Sequence, residues 1–276
     1  MGRRFTQVDV FSETPFLGNP LAVVLDGDGL GTDEMQQFAT WTNLSETTFV
    51  TRSRDPAADY AVRIFDPANE LPFAGHPTLG TCHAWLVAGG RPRDDDEIVQ
   101  ECGAGLIAIR RTQDGLAFRS PQPSRTGPVD DALVARIAEM LRIHRGEIVE
   151  AQWAALGPSW IAVLLESAQA VLALRPGVVD LDLGVVGPYP PGSPEQFEVR
   201  AFFEKDGQTA EDPVTGSLNA AIAAWLRTSG RATLPYVASQ GQVLGRRGRL
   251  VLSTDEADAI WVAGRTTTII TGVVDL

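Results

Sequence analysis

Cysteine is nearly absent. Cys82 and Cys102 are the only two in 276 residues, which excludes a disulfide framework. Histidine is as scarce: His76, His83 and His144 are scattered without metal-ligand spacing, so the sequence offers no metal site. Basic charge is in deficit, with 23 Lys and Arg against 35 Asp and Glu and a formal net charge of −12. Nucleic-acid binders carry basic faces, so that class of partner is excluded. No apolar run approaches the ~20 residues that a membrane-spanning helix needs, and residues 160–165 are among the longest. No apolar signal-peptide core follows Arg3 and Arg4. These absences describe a soluble, acidic, cytoplasmic protein with no nucleic acid or membrane partner.

A hydrophobic content of 44% over this length can bury a full core, in one large domain or two lobes. Two short segments read as one device built twice, half a chain apart. They are Gly75-His76-Pro77-Thr78-Leu79-Gly80-Thr81 and Glu211-Asp212-Pro213-Val214-Thr215-Gly216-Ser217. One offset lays Pro77 on Pro213, Gly80 on Gly216, Thr81 on Ser217 and His76 on Asp212. Each segment opens an apolar, Ala-rich stretch, 82–88 and 218–226. Proline just inside a helix start, with Ser, Thr and Gly around it, marks a helix N-terminus. Such ends offer unpaired N–H groups and a positive dipole end, which attract anions. Two of them facing each other across a cleft would hold a small acid between His76 and Asp212. The offset, close to half the length, favours two lobes.

The rest of the chain reads as strands with about one long buried helix per half. Residues 5–11 alternate, with Val8 and Val10 on one face; Gly18-Asn19-Pro20 turns the chain, and 21–25 is a short strand. Thr32 before Asp33 and Glu34 caps a helix to about Asn43; 47–51 and 60–65 are strands. Residues 98–102, 106–110 and 116–119 form a meander. Residues 120–128, with Pro121, Pro123 and Pro128, make the best linker, which places lobes at 1–122 and 123–276. The second half repeats the pattern: a helix over 130–141, strands at 148–153 and 160–165, and a short helix over 168–174. A Pro/Gly loop at 187–194 precedes a strand at 198–203, the second motif helix, and strands at 236–239, 250–253, 259–262 and 267–274. The fold class expected is α+β: two similar lobes, each a barrel-like, mostly antiparallel sheet around a central helix.

Five segments in order carry a family resemblance: VDVFSETPFLGNPLAVV (8–24), NLSETTFV (43–50), ELPFAGHPTLGT (70–81), EDPVTGS (211–217) and SQGQVLGR (239–246). The chain resembles the phenazine-biosynthesis isomerase (PhzF-like) family, which is structurally similar to diaminopimelate epimerase. The resemblance implies an active site between the lobes, no metal, no organic cofactor and a homodimer. It also implies isomerisation of a dihydro-hydroxyanthranilate-type acid by moving a proton along a cyclic diene. The family's proton-shuttling glutamate matches Glu46, its Gly-His matches Gly75 and His76, its second-motif aspartate matches Asp212, and its serine matches Ser217 after Gly216. By that match His76 and Asp212 hold polar groups of the substrate, while the Gly75 amide and Ser217 take its carboxylate. Phe203-Glu204-Lys205 and Arg246-Arg247-Gly248 depart from the family pattern, which puts the substrate in doubt more than the chemistry.

Each candidate has a plain structural reading beside the functional one. Glu46 is either an exposed acid at a strand start or a carboxylate raised toward neutrality by Leu44, Phe49 and Trp41 so that it can both take and give a proton. His76 is either a loop histidine or a ring kept neutral by a helix dipole. Asp212 also fits an N-cap, and Thr81 and Ser217 fit helix-start hydroxyls. Neither motif head carries a cysteine, so two-thiol racemisation is disfavoured, and Cys82 and Cys102 read as small buried residues. The expected function is a cofactor-independent isomerase acting on a small carboxylate through Glu46. The alternatives are an epimerase or lyase on a related acid, or a non-catalytic small-acid or protein-binding module on the same fold.

Overall fold

Val8 and Val10, spaced for one face of a strand, are fully buried on β1 (Gly2–Val10) of the computed structural model, which describes residues 2–156 and 159–276. The chain divides into two units, Met1–Ser120 with Trp261–Leu276, and Pro121–Ile260. The first unit continues through β2 (Asn19–Val24), α1 (Thr32–Thr42), β3 (Glu46–Thr51), β4 (Tyr60–Phe65), β5 (Glu70–Leu71) and α2 (Gly75–Val87) to β6 (Ile98–Cys102), β7 (Gly105–Thr112) and β8 (Gly115–Arg119). The second holds β9 (Arg125–Pro128), α3 (Asp131–Leu141), β10 (Ile148–Ala155), β11 (Ile161–Leu165), α4 (Ala168–Ala173) and β12 (Leu183–Pro188). It goes on with β13 (Phe197–Lys205), β14 (Gln208–Asp212), α5 (Gly216–Thr228), β15 (Tyr236–Gln240) and β16 (Gly248–Thr254). The chain then returns to the first unit through β17 (Ile260–Gly264) and β18 (Thr266–Asp275).

Both units follow one path. In the first, β18, β1 and β2 are antiparallel, β2 runs parallel to β3, β3 antiparallel to β4, β4 parallel to β6, and β6, β7, β8 and β17 are antiparallel. In the second, β9, β10 and β11 are antiparallel, β11 runs parallel to β12, β12 antiparallel to β13, β13 parallel to β15, and β15 antiparallel to β16. This is the expected α+β class, mostly antiparallel. Helix α2 lies within its sheet, touching β1, β2, β3, β8 and β18, and Gly75 through Cys82 are all buried. Gly80 permits that approach, since a Cβ there would stand 2.6 to 3.0 Å from Leu21, Val10 and Val8 side chains. A smaller core of Val24, Met35, Phe38, Phe49 and Phe65 lies under α1, and Val134, Ile137 and Leu141 of α3 pack on Ile161, Val163 and Val185.

The structure departs from the sequence reading at several points. The two motifs are repeated in a different register: Glu70-Leu71-Pro72 precedes α2 as Glu211-Asp212-Pro213 precedes α5, and both helices run 13 residues. Pro72 thus corresponds to Pro213, Gly75 to Gly216 and His76 to Ser217, whereas Pro77 lies inside the first turn of α2. Proline fits both the turn before a helix and its first turn, so sequence alone does not tell Pro72 from Pro77 as the counterpart of Pro213. Asn19 and Pro20 belong to β2 and not to a turn. Pro20 pairs only with Asp9 of β1, because the parallel pairing of β2 with β3 starts at Leu21, so its missing N–H costs nothing on that side. The N-cap of α1 is Gly31, whose N–H donates to the Glu34 carboxylate, and not Thr32. Half of the expected linker is strand β9, paired with β10, and Gly187 and Pro188 end strand β12. The second unit spans 121–260 where the sequence suggested 123–276, because β17 and β18 pair with β8 and β1.

Candidate active site

Glu46 is the first residue of β3, opposite Leu21 in the parallel register. Side chains alternate along a strand, so Glu46 shares a face with Thr48, whose hydroxyl lies 2.8 Å from that of Thr81 on α2. Phe49 points the other way, into the core under α1, and Trp41 is 79% exposed, stacked on Phe38. The expected apolar surround of Phe49 and Trp41 is therefore replaced by the N-terminal turn of α2. Glu46 Oε2 stands 3.4 Å from His76 Nδ1, and the Asn19 side-chain amide nitrogen is also 3.4 Å from that atom. His76 is the second residue of α2 and only 3% exposed. Burial pushes its imidazole down to about 3, against a hydrogen bond to the Pro20 backbone that favours the charged form. The ring is therefore neutral near pH 7. Desolvation supplies the neutrality that the helix dipole was expected to give.

In the second unit, Asp212 ends β14, paired with Ala201 of β13. Its carboxylate Oδ2 accepts a 2.5 Å hydrogen bond from the Thr215 hydroxyl. The N-cap of α5 is Thr215, not Asp212, and Gly216 and Ser217 are its first two residues, both buried. Gln240, the last residue of β15, receives the Thr215 backbone N–H at 3.0 Å on its side-chain oxygen. Its side-chain nitrogen donates to the Asp212 carbonyl and the Thr215 hydroxyl, both at 3.0 Å.

The motif helices differ from two others in one respect. Asp130 caps α3 by accepting from Leu133 N–H, and Ser167 caps α4 by accepting from Ala170 N–H. Neither Ala74 at α2 nor Thr215 at α5 makes a side-chain bond to its first turn. First-turn amides left uncapped are donors for an anion, and they lie at Gly75 and His76 in one unit and at Gly216 and Ser217 in the other. The first unit thus brings Glu46, His76 and Gly75 together, and the second Asp212, Gly216 and Ser217. Asn19, Thr215 and Gln240 were missed as individual residues. Asn19 was hidden by the turn signal of Gly-Asn-Pro, and Thr215 and Gln240 are neutral side chains whose partners lie on separate elements. Burial pushes the Cys82 thiol up to about 12, so it stays protonated. Among the described residues no group of three His, Cys, Asp or Glu side chains gathers as metal ligands would, and no helix is long and apolar enough to cross a membrane.

A family model described as phenazine biosynthesis-like protein matches residues 8–272. The chain is 36% identical over 296 aligned positions to antisense-enhancing sequence 1 of Schizosaccharomyces pombe, covering 97% of each. It is 34% identical over 267 positions to the trans-2,3-dihydro-3-hydroxyanthranilate isomerase of Pseudomonas aeruginosa, covering 92% of this chain and 91% of that one. In fold it is similar to a Bacillus anthracis phenazine biosynthesis protein of the PhzF family, with a TM-score of 0.84 at 22% identity over the whole of both chains.

Proposed function

Because the chain belongs to the phenazine biosynthesis-like protein family and is an isomerase by that kinship, we propose that it moves a proton on a small carboxylic acid without a cofactor. The observation that carries the proposal is the pair of Glu46 and His76, a carboxylate beside a neutral imidazole at the uncapped start of α2. The Glu46 carboxylate takes a proton from a carbon next to a conjugated or carbonyl-activated system. The electron pair left behind moves along that system, and the Glu46 carboxylic acid returns the proton to another carbon of the same molecule. Atoms and charge balance without an outside oxidant or reductant. Negative charge that builds up on the substrate meets the helix-start amides and the His76 ring.

Asp212, Gly216 and Ser217 join this scheme as substrate-binding groups, with Asp212 also tuning the base, on the strength of their match to the family motif. The relative's name suggests the substrate class, an acid like trans-2,3-dihydro-3-hydroxyanthranilate. The resemblance also implies a cytoplasmic homodimer, which light scattering of the purified protein checks. Epimerisation by two opposed bases is the weaker reading. The residue that starts the parallel register of β12, as Glu46 starts that of β3, is Leu183, and Cys82 is a buried, protonated thiol.

The test is Glu46→Gln, which keeps the shape and cannot take the proton. With trans-2,3-dihydro-3-hydroxyanthranilate and a panel of cyclic amino-substituted acids, binding should survive while kcat falls by roughly 10²-fold or more. His76→Gln and Asp212→Asn should impair kcat and KM together. A substrate deuterated at the labile carbon should keep part of its label in ordinary water. Full activity of Glu46→Gln would refute the assignment, and binding without turnover in the wild type would favour the non-catalytic module.

A further inference from the structure

Gln240 reaches the Asp212 loop through bonds whose directions are all fixed. The Thr215 backbone N–H can only donate, so the atom of Gln240 that faces it is the side-chain oxygen. That oxygen also receives the Asn219 side-chain amide at 2.8 Å. The Gln240 nitrogen must then face the Asp212 carbonyl, which can only accept, and the Thr215 hydroxyl oxygen. A hydroxyl that already accepts from Gln240 has one proton to give, and the Asp212 carboxylate lies 2.5 Å away to receive it. The backbone groups fix every step up to the Thr215 hydroxyl, and an ionised Asp212 carboxylate fixes the last. A threonine at an N-cap ordinarily spends its oxygen on the first-turn amides. Here the oxygen is turned away from α5 and toward Asp212.

The next residue supports the same loop. Gly241 has φ +92°, and a Cβ there would stand 2.6 Å from the Pro213 carbonyl oxygen, so the backbone folds tightly over the Asp212-Pro213 segment. The first unit lacks both ends of this relay. Cys102, the last residue of β6, stands where Gln240 stands, since a Cβ at the following Gly103 would meet Pro72 as one at Gly241 would meet Pro213. Gln100, two residues earlier on β6, accepts from the Tyr60 hydroxyl and donates to Thr78 within α2. There the N-cap is Ala74, and Leu71 stands where Asp212 stands. Among the described residues, the relay from a strand-end glutamine through an N-cap threonine to a carboxylate is found in the second unit.

We propose that Gln240 and Thr215 are positioning residues that hold the Asp212 carboxylate in its working orientation. The role of Asp212 rests on the function proposed above, whereas the relay can be read without any substrate. With 13C-aspartate-labelled protein, the Asp212 carboxyl resonance is identified by its loss in Asp212→Asn. It should move in Thr215→Val, which keeps the shape and removes the hydroxyl, and stay in place in Thr215→Ser. Gln240→Glu keeps the acceptor oxygens and loses the donor, so it should move the same resonance. An unchanged resonance in Thr215→Val, with the protein folded, overturns the relay. So does an equal displacement in Thr215→Ser. With a turned-over substrate, Thr215→Val should lower kcat/KM about tenfold or more, and Thr215→Ser should recover most of it. If the wild type turns over no acid on the panel, the functional reading fails and the resonance still decides the relay.

Discussion

The His76 ring links the site to stability. Its imidazole is ordinarily half-protonated near 6.5 and in the folded chain only at about 3, because burial disfavours the charged form. Between those values the unfolded chain binds a proton that the folded chain refuses. Stability therefore rises with pH through this window and is lost as pH falls from 6.5 toward 3. The full window amounts to roughly 4–5 kcal/mol for this one group. Urea unfolding of the wild type at pH 7, 5.5 and 4.5 should show a steeper acid loss than His76→Gln, and parallel losses would mean that another group titrates. The family's motifs single out Glu46 and His76 in the sequence as candidates. The sequence did not show that they touch, because they sit on separate elements and only the parallel pairing of β2 with β3 brings the start of β3 beside α2.

Helix α2 is buried along its first two turns, so its fit depends on a residue with no side chain. At Gly80 two effects compete. Alanine favours a helix interior over glycine by about 1 kcal/mol, whereas overpacking a filled core costs about 1–3 kcal/mol. The added Cβ would meet three side chains at 2.6 to 3.0 Å, so overpacking wins. Gly80→Ala should lose about 1 kcal/mol by chemical denaturation, and a gain would show slack between α2 and β1. Burial also explains which elements were readable. Amphipathic α3, with Asp130 accepting from Leu133 N–H, was readable from its pattern and cap. Helix α2 is apolar on most sides, so periodicity could not fix its start and proline alone misled. The strand β12 went unread because Gly184 and Gly187-Pro188 look like loop, and β14 because Gln208-Thr209 is polar and short.

Long-range pairing sets the limits of each unit, and local pattern cannot reveal it. Residues 261–276 look like a continuation of the second half, yet they supply the first unit with neighbours for both β1 and β8. Their side chains confirm the attachment: Trp261 lies under the Arg110 guanidinium at 3.3 Å, Gly264 packs on Phe11, and Thr268 lies 2.9 Å from the His83 ring. A fragment of residues 1–120 would leave β1 and β8 each without one partner and expose unpaired strand edges, which promote association. Residues 121–260 form an uninterrupted unit with their own buried cluster. The second fragment should therefore melt cooperatively alone, while 1–120 should aggregate. Strands β1 and β18 are antiparallel with Gly2 opposite Asp275, so a short Gly-containing turn can join Asp275 to Gly2 as a hairpin. A chain running 261–276, turn, 2–120 should then be monodisperse and unfold in one step by circular dichroism. If 1–120 alone unfolds at the same temperature as that permuted chain, the returning strands are dispensable. The first unit would then be held by α2 and its own sheet.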